Sequence, residues 1–506
     1  MMRLAYPSFS IVILLIPAWI LFLDGLKNAK KPFIYGFIFN SLFSTMLCSW
    51  VIHPMTDYYN YSIISSLLFQ IFVIGAIPSL SIGLFSKIIH QRINNLNFYE
   101  SSIIKGFNIV LFIGVTFVIC EWLKIISPLG HSLGHIATVF YVIPEFLAIT
   151  RFTGGSGLSF MIISSSAMLW LSYLMFENGK YFKSIIYGII PIVLIIGIYL
   201  YGIIIIKKHQ SRKITQKIDI AIIHAGIDQS SRQRDLSYKK NIIIYRNLSL
   251  NTFEDYGIES QRVIIWPETA LSINIATNSE VLKLIKHIGE KTGAWMIIGS
   301  PSYCEDGENR KFYNSAFLFS PDGSIIDQYD KIYLLPFFEK RIPIFNIFTE
   351  LNKKPYSPGV TSNIFRIKNI NSNGKYINIG IFICYEVGIS SLIHGLVQKG
   401  AELLVNISND SWFDESSESL QQLSILSLRC AEYGLPGVRV SGYGIAAFVD
   451  PFGRVLKASN IKSRMVLKAC QRIHENKPTL YSCFKDWFVL ICGLLFIGFI
   501  LKQKII

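Results

Sequence analysis

Three polar residues in the second half of the chain stand where a buried sheet would present chemistry. Glu268 follows the short apolar run Val263–Trp266, inside Trp266-Pro267-Glu268-Thr269-Ala270. Lys331 follows the second arm of a hairpin pattern, in Tyr329-Asp330-Lys331, and Cys384 ends the run Tyr376–Cys384 ahead of Tyr385-Glu386. A cysteine attacks as its thiolate, which a nearby cation stabilises, and lysine supplies a cation. A carboxylate beside it can take the thiol proton and later return one to a leaving group. The same ammonium can face the oxyanion of a tetrahedral acyl intermediate. Glutamate, lysine and cysteine are therefore a sufficient set for acyl transfer with neither metal nor cofactor. Taken singly, each has an ordinary explanation: a buried cysteine at a strand end, a turn or cap glutamate, a solvated surface lysine. Spacing alone leaves both readings open.

The elements that must position these residues are strands and amphipathic helices. Ile218–His224, Val263–Trp266, Trp295–Gly299, Tyr376–Cys384 and Leu403–Ser408 read as buried strands, short, β-branched and bounded by turn residues. Ser279–Thr292 carries Val281, Leu282, Ile285 and Ile288 at helical spacing, and Gln421–Tyr433 behaves similarly. Pro321-Asp322-Gly323 and Pro451-Phe452-Gly453 sit between alternating runs and predict hairpins. The pattern is a mixed α/β domain with helices covering its sheets, extending over about 207–486, ample for a core of its own.

Outside that region the composition changes. Across 506 residues the chain is 51% hydrophobic and only 16% charged, with mean hydropathy +0.42, which excludes disorder and argues against a wholly soluble globule. Runs long enough to cross a bilayer lie at Tyr6–Leu23, Phe33–Ile52, Ile63–Phe85, Phe107–Ile126, Gly157–Phe176 and Ile185–Ile206, with another at Trp487–Leu501. Glu121 and Lys124 near the end of the fourth run fit an interface-facing end, and Ser127–Gly155 reads as a re-entrant or interfacial loop. The net charge of +15 could suggest nucleic acid, but much of it flanks apolar runs, where membrane orientation explains it at least as well. Lys27, Lys30, Lys31, Lys87, Arg92, Lys105, Lys180 and Lys183 fall in the loops after the first, third and fifth runs, whereas His53–Tyr61 has neither Lys nor Arg. The positive-inside rule then puts those loops in the cytoplasm and the large domain on the far face. The eight cysteines show no CxxC or Cys/His metal spacing, and no Gly-rich phosphate loop precedes a helix, so neither zinc nor nucleotide has support. Cys470 and Cys483 lie in the outside segment, where a disulfide is permitted. His131 and His135 read as satisfied or solvated imidazoles, with headgroup binding as the alternative. Trp50, Tyr58, Tyr59, Tyr61 and Trp487 fit an interfacial aromatic belt.

Several longer segments are more specific than the trio alone. Besides the Glu268 segment they are Tyr329-Asp330-Lys331 running to Leu335-Pro336-Phe337-Phe338-Glu339, Ile383-Cys384-Tyr385-Glu386, Ile407-Ser408-Asn409-Asp410-Ser411-Trp412-Phe413, and Arg429-Cys430-Ala431-Glu432. In order and separation they resemble the nitrilase superfamily, whose catalytic set is Glu–Lys–Cys on an α-β-β-α sandwich. With apolar spans on both sides, the whole chain resembles the membrane-embedded apolipoprotein N-acyltransferase family. Glu121-Trp122-Leu123-Lys124 before a Pro/Gly loop, and Tyr35-Gly36-Phe37 leading to Ser49-Trp50-Val51, extend that resemblance.

The resemblance implies an integral membrane α-helical bundle over 1–206, a nitrilase-like α-β-β-α sandwich over 207–486 on the extracytoplasmic side of a bacterial inner membrane, and a last transmembrane helix over 487–506. It implies a two-step exchange between a membrane phospholipid donor and a diacylated lipoprotein acceptor, through a thioester on Cys384. Glu268 would be the general base and Lys331 the oxyanion partner. Glu339, Tyr385 and Glu386 would surround the same pocket, with Trp412 on a nearby loop. The spans would form part of the acyl-chain cleft. Three departures stand out. The family opens with one more span. Gln233 stands where it tends to have tryptophan, and Arg439-Val440-Ser441-Gly442-Tyr443-Gly444 replaces its Asn-Thr-Gly pattern. Gln233 and Tyr443 motivate a second reading, acylation of a different amine. A membrane-bound amidase is a third; a transporter or scaffold without catalysis is a fourth. The intact trio counts against the last, as do the lack of charges deep in spans and of internal repeats.

Overall fold

The apolar strand runs are buried on both faces, which is what parallel central strands require. In the computed structural model they build two sheets of six strands each. The structure describes all residues except 8, 60, 95–101, 128–131, 229–236, 254–259, 307–308, 337, 341–355, 370–374, 476–477 and 506. The first sheet has the order β12-β1-β2-β3-β4-β5, with β1 Ile214–His224, β2 Gln261–Ile265, β3 Trp295–Asp306, β4 Asn309–Phe319, β5 Ile325–Asp330 and β12 Met465–His474. The second has the order β11-β10-β9-β8-β7-β6, with β6 Ile364–Lys368, β7 Tyr376–Ile383, β8 Leu403–Ser408, β9 Gly437–Ser441, β10 Ala447–Val449 and β11 Val455–Ala458. In each sheet three neighbouring strands run parallel, β1-β2-β3 and β7-β8-β9, and the flanking strands are antiparallel.

Alternation along each strand explains how the layers meet. Ile218, Ile220 and Ile222 of β1 join Val263 and Ile265 in one core with Ile377, Ile379, Ile381, Ile383, Val405 and Ile407 of the second sheet. Each such side chain contributes about 1.5–3 kcal/mol on burial. The opposite face of the first sheet, through Ala221, Ile223, Ile264 and Met296, packs on Tyr245 and on Val281, Ile285 and Ile288 of the helix Ser279–Thr292. That helix has the predicted bounds because Asn278 caps its start, accepting from the Val281 amide, and Gly293 ends it at φ +64°. Helices Ser390–Gln398 and Glu418–Tyr433 pack on the second sheet, which completes the α-β-β-α order. Both predicted Pro-x-Gly turns join antiparallel neighbours, β4 to β5 and β10 to β11. This compact unit comprises His53–Tyr61 and Ser211–Lys477.

The other unit, Met1–Ile52, Ser62–Gln210 and Pro478–Ile506, is helical. Among the described residues, four helices are long and apolar enough to cross a membrane: Ile63–Asn94, Ile103–Ile126, Gly155–Glu177 and Tyr181–Gln210. The second apolar run is a pair, Pro32–Leu47 and Ser49–Asp57, bent by 55°. The first is interrupted: Met2–Ala5 and Val12–Leu14 precede a helix of 13 residues, Leu15–Lys27. Small residues let the helices approach, as where a Cβ on Gly36 would stand 1.9 Å from Ser86 Oγ. Glu121 and Lys124 turn their side chains inward. Both are buried, Glu121 accepting from the Ile136 amide at 3.0 Å and Lys124 donating to the Leu133 carbonyl at 3.4 Å, so they anchor the loop that follows their helix. That loop contains short helical turns, Ile136–Val142, Pro144–Leu147 and Thr150–Thr153. His135 is buried, accepts from the Ala137 amide at 3.1 Å and lies 3.6 Å from Glu121, the satisfied imidazole of the first reading. His131 lies outside the described residues. All eight cysteines are free thiols, Cys470 and Cys483 included.

Candidate active site

The three expected residues follow the ends of three separate strands, β2 and β5 of the first sheet and β7 of the second. β2 ends at Ile265, and the chain turns through Glu268 against β3. The Trp266 amide donates to the Ile297 carbonyl at 2.8 Å and the Ala270 amide to that of Gly299 at 2.9 Å. A Cβ on Gly299 would stand 2.6 Å from Glu268 Cα, so only glycine lets the turn lie this close. Lys331 follows β5, held by its own amide donating to the Asn314 carbonyl at 2.8 Å. Cys384 follows β7 with φ +52°, a left-handed conformation that costs a non-glycine residue about 1–3 kcal/mol and is held only by its surroundings.

Those surroundings centre on Glu386. It is fully buried and accepts from the amides of Ile332 (2.8 Å), Tyr333 (2.9 Å) and Ile383 (2.8 Å) and from the Tyr329 hydroxyl (2.8 Å). One carboxylate thus ties the segment carrying Lys331, which belongs to the first sheet, to the strand end carrying Cys384, which belongs to the second. Burial pushes its pKa up to about 7, against Lys331 and the hydrogen bonds from Tyr333, Ile383 and Tyr329. Glu386 thus holds the Lys331 and Cys384 segments to one another.

Lys331 is clamped by two carboxylates. Its Nζ lies 2.9 and 2.8 Å from the two oxygens of Glu339 and 3.7 Å from Glu268 Oε1. Burial opposes its charge, but Glu339 and Glu268 outweigh burial and hold its pKa above the ordinary lysine value, so it stays an ammonium. Glu268 accepts from Asn314 Nδ2 at 2.6 Å and from the Asn409 amide at 2.7 Å. Asn314 also reaches Glu339 Oε1, at 3.0 Å. Burial, and after it the charge of Glu339, holds the Glu268 carboxyl above its usual range in spite of Lys331 and both hydrogen bonds. A carboxyl poised in this way can accept a proton and give it back. Cys384 lies within electrostatic reach of Glu268 and Lys331. Burial, followed by Glu268, raises the thiol well above its ordinary value, with Lys331 opposing them. The thiol proton is therefore harder to remove than from a free cysteine, so a base beside it has to accept that proton as the sulfur attacks.

Tyr385 is half-buried on the sandwich core. Trp412 stacks on Tyr59 at 6.0 Å and meets Tyr58 edge-on at 5.3 Å, while Tyr59 meets Phe338 at 5.5 Å. Burial and the charge of Glu339 push the Tyr59 hydroxyl up to about 12, which places this cluster beside the clamp. Tyr58 and Tyr59 therefore pack in the catalytic unit, although their position between apolar runs suggested a membrane belt. Tyr443 donates to Asp414 at 2.7 Å, and Gln233 lies outside the described residues. Sequence reading missed Asn314, Asn409, Gln422 and Arg439. Only Arg439 left a signal, a lone charge inside the apolar strand Gly437–Ser441.

Residues 235–472 match the carbon-nitrogen hydrolase family and residues 1–168 match the apolipoprotein N-acyltransferase N-terminal domain. The chain is 26% identical to the apolipoprotein N-acyltransferase of Geobacter metallireducens, over 97% of this chain and 91% of that protein. It is 26% identical to apolipoprotein N-acyltransferase 2 of Treponema denticola, over 78% and 77%. Among solved structures it is similar to Saccharomyces cerevisiae Nit3, of the nitrilase superfamily, at 18% identity and TM-score 0.37, covering 52% of this chain and 91% of that one. With one model on its membrane part, the other on its sandwich and whole-length relatives spanning both, this membrane protein belongs to the apolipoprotein N-acyltransferase family.

Proposed function

We propose that this acyltransferase moves an acyl chain from a membrane phospholipid, by way of a thioester on Cys384, to the N-terminal amine of a diacylglyceryl-cysteine lipoprotein. The observation that carries the reading is the Lys331 ammonium clamped between Glu268 and Glu339 in front of the Cys384 turn. In the first step Glu268 takes the thiol proton as Sγ bonds to the ester carbonyl carbon, and Lys331 faces the resulting oxyanion. The carbon–oxygen bond to glycerol breaks, Glu268 returns the proton to that oxygen, and a lysophospholipid leaves. In the second step the amine nitrogen bonds to the thioester carbonyl carbon and Glu268 takes the nitrogen's proton. The carbon–sulfur bond then breaks, and the proton passes to the sulfur. Both substrates are anchored by acyl chains, so a site at the bilayer surface receives them already concentrated.

The test uses the full-length protein in membranes with phospholipid labelled in its acyl chain. Wild type should carry label on Cys384 as a hydroxylamine-sensitive thioester, which a diacylated lipopeptide discharges into an amide. Cys384→Ala should carry none. Discharge to water alone would replace this reading with a hydrolase, and preference for another amine would replace the acceptor.

The lysine pattern around the apolar runs supports a catalytic domain on the extracytoplasmic side of the inner membrane. Cys304 is exposed on β3 and reports on this directly. A membrane-impermeant maleimide added to intact spheroplasts should label Cys304 as fully as it does after lysis. Labelling only after lysis would put the domain in the cytoplasm.

A further inference from the structure

Cys384 has a polar neighbour outside the clamp residues. Gln422, on the helix Glu418–Tyr433, is buried and its Nε2 lies 3.8 Å from Cys384 Sγ, within hydrogen-bond range of a sulfur. Which end of this amide faces the sulfur is fixed by its surroundings. Arg439 Nη1 lies 2.9 Å from Gln422 Oε1, and a guanidinium can only donate, so that end must be the oxygen. The NH2 end then has two hydrogens and two neighbours, Cys384 Sγ and Glu418 Oε1.

Arg439 is itself immobile. It is fully buried, with Nη2 2.7 Å from Asp410 Oδ2 and Nη1 2.8 Å from Asn406 Oδ1. Asn406 in turn donates to the Cys384 carbonyl at 3.3 Å. One buried guanidinium thus orients a donor onto the sulfur and another onto the backbone of the same cysteine.

We infer that Gln422 is a further catalytic residue, whose side-chain N–H stabilises the Cys384 thiolate as it forms and again as the thioester expels it, with Arg439 as the positioning residue that holds the amide that way round. The need for such a donor follows from the groups around the thiol: burial first, then Glu268, Glu418 and Asp410, all disfavour a negative sulfur, and Lys331 favours it. Burial and Asp410 also hold Glu418 well above its usual range, which weakens its charge beside the sulfur. One hydrogen of the Gln422 amide goes to Glu418 Oε1, and the other is left for the sulfur.

The role rests on Cys384 being the nucleophile, but it can be read without lipid. The full-length protein is alkylated with iodoacetamide from pH 6 to 10, and the Cys384 peptide is quantified separately from those of the other cysteines. Gln422→Met keeps length and removes the donor; Gln422→Glu keeps shape and turns an oxygen toward the sulfur. Alkylation at neutral pH should fall about tenfold in the first and further in the second, with the profile moving to higher pH. Thioester formation should slow in the same order, while KM for the lipopeptide acceptor stays put. Variants that melt like wild type and alkylate at its rate would overturn the assignment. If Gln422→Met fails to fold, the isosteric Gln422→Glu decides alone. Normal alkylation of wild type with no acyl-thioester from phospholipid would instead remove the proposed function and leave this role standing.

Discussion

Lys331→Met is expected to abolish thioester formation and to destabilise the catalytic domain together. The ammonium faces a charge that develops only in the transition state, and removing one such donor costs about 10²–10³ in rate. Here the loss should be greater, about 10³ or more, because the same ammonium balances two carboxylates. Without it Glu268 and Glu339, which share Asn314 at 2.6 and 3.0 Å, face each other with no counter-charge. One of them must then hold a proton at neutral pH, and a protonated Glu268 cannot accept one from the thiol. Breaking a buried pair by removing one partner costs about 3–5 kcal/mol. The pH dependence separates these effects: lowering the pH neutralises the stranded carboxylates, so the apparent melting temperature of the variant should recover toward pH 5 while acyl transfer does not. Lys331→Arg, which keeps the charge but not the compact ammonium, should restore stability more than rate. A stable, active Lys331→Met protein would show that the clamp is incidental.

How much of this was legible in the sequence depended on whether each constraint was local. β7 and β8 were readable because parallel central strands are apolar on both faces, and Ser279–Thr292 because its cap, stripe and terminal glycine all agree. Glu268, Lys331 and Cys384 could be singled out because each follows a strand end, but spacing alone left an ordinary reading open for each, and only the longer segments around them pointed to one chemistry. The partners that make them work come from elsewhere in the chain. Asn314 lies inside β4, and nothing about an asparagine in a hairpin strand says that it reaches a carboxylate 46 residues away. The family resemblance put Glu386 beside the pocket, but nothing local says that it also accepts from the amides of Ile332 and Tyr333, more than fifty residues away. The first apolar run read as one span because hydropathy does not register the turn after Tyr6, where the amides of Phe9 and Ser10 donate back to its carbonyl. Arg439 alone advertised itself. A charged residue in a strand buried from Gly437 to Ser441 must have a partner, although the sequence does not say which.

Arg439→Met should show what that partner is worth, through a reversal in how stability responds to pH. In the wild type, burial opposes the charge of Asp410, but Arg439 and the hydroxyls of Ser408 and Ser419 outweigh it and leave the carboxyl below its usual range. A lowered folded value contributes stability that is present above the unfolded value of about 4 and is lost as the pH falls through the folded one. Removing the guanidinium leaves burial and two hydroxyls, with Glu418 close enough to couple to Asp410. The Asp410 carboxyl should then rise above its unfolded value, and the sign inverts: the folded form binds a proton more tightly, so stability is highest in acid and falls as the pH rises through about 4 and beyond. At neutral pH the loss should be about 3–5 kcal/mol, the usual cost of stranding a buried charge. Thermal unfolding of the full-length protein between pH 2 and 8 measures this directly, as a wild-type melting temperature that drops below about pH 4 and a variant one that climbs toward the acid end. Parallel curves would mean that Asp410 is not the charge Arg439 holds. Rate should follow the same residue for a different reason: with no guanidinium to accept from, the Gln422 amide is free to turn its oxygen toward the sulfur, and Asn406 loses the contact that aims it at the Cys384 carbonyl. Cys384 alkylation in the folded variant at acid pH, where it is most stable, should therefore remain slower than in wild type.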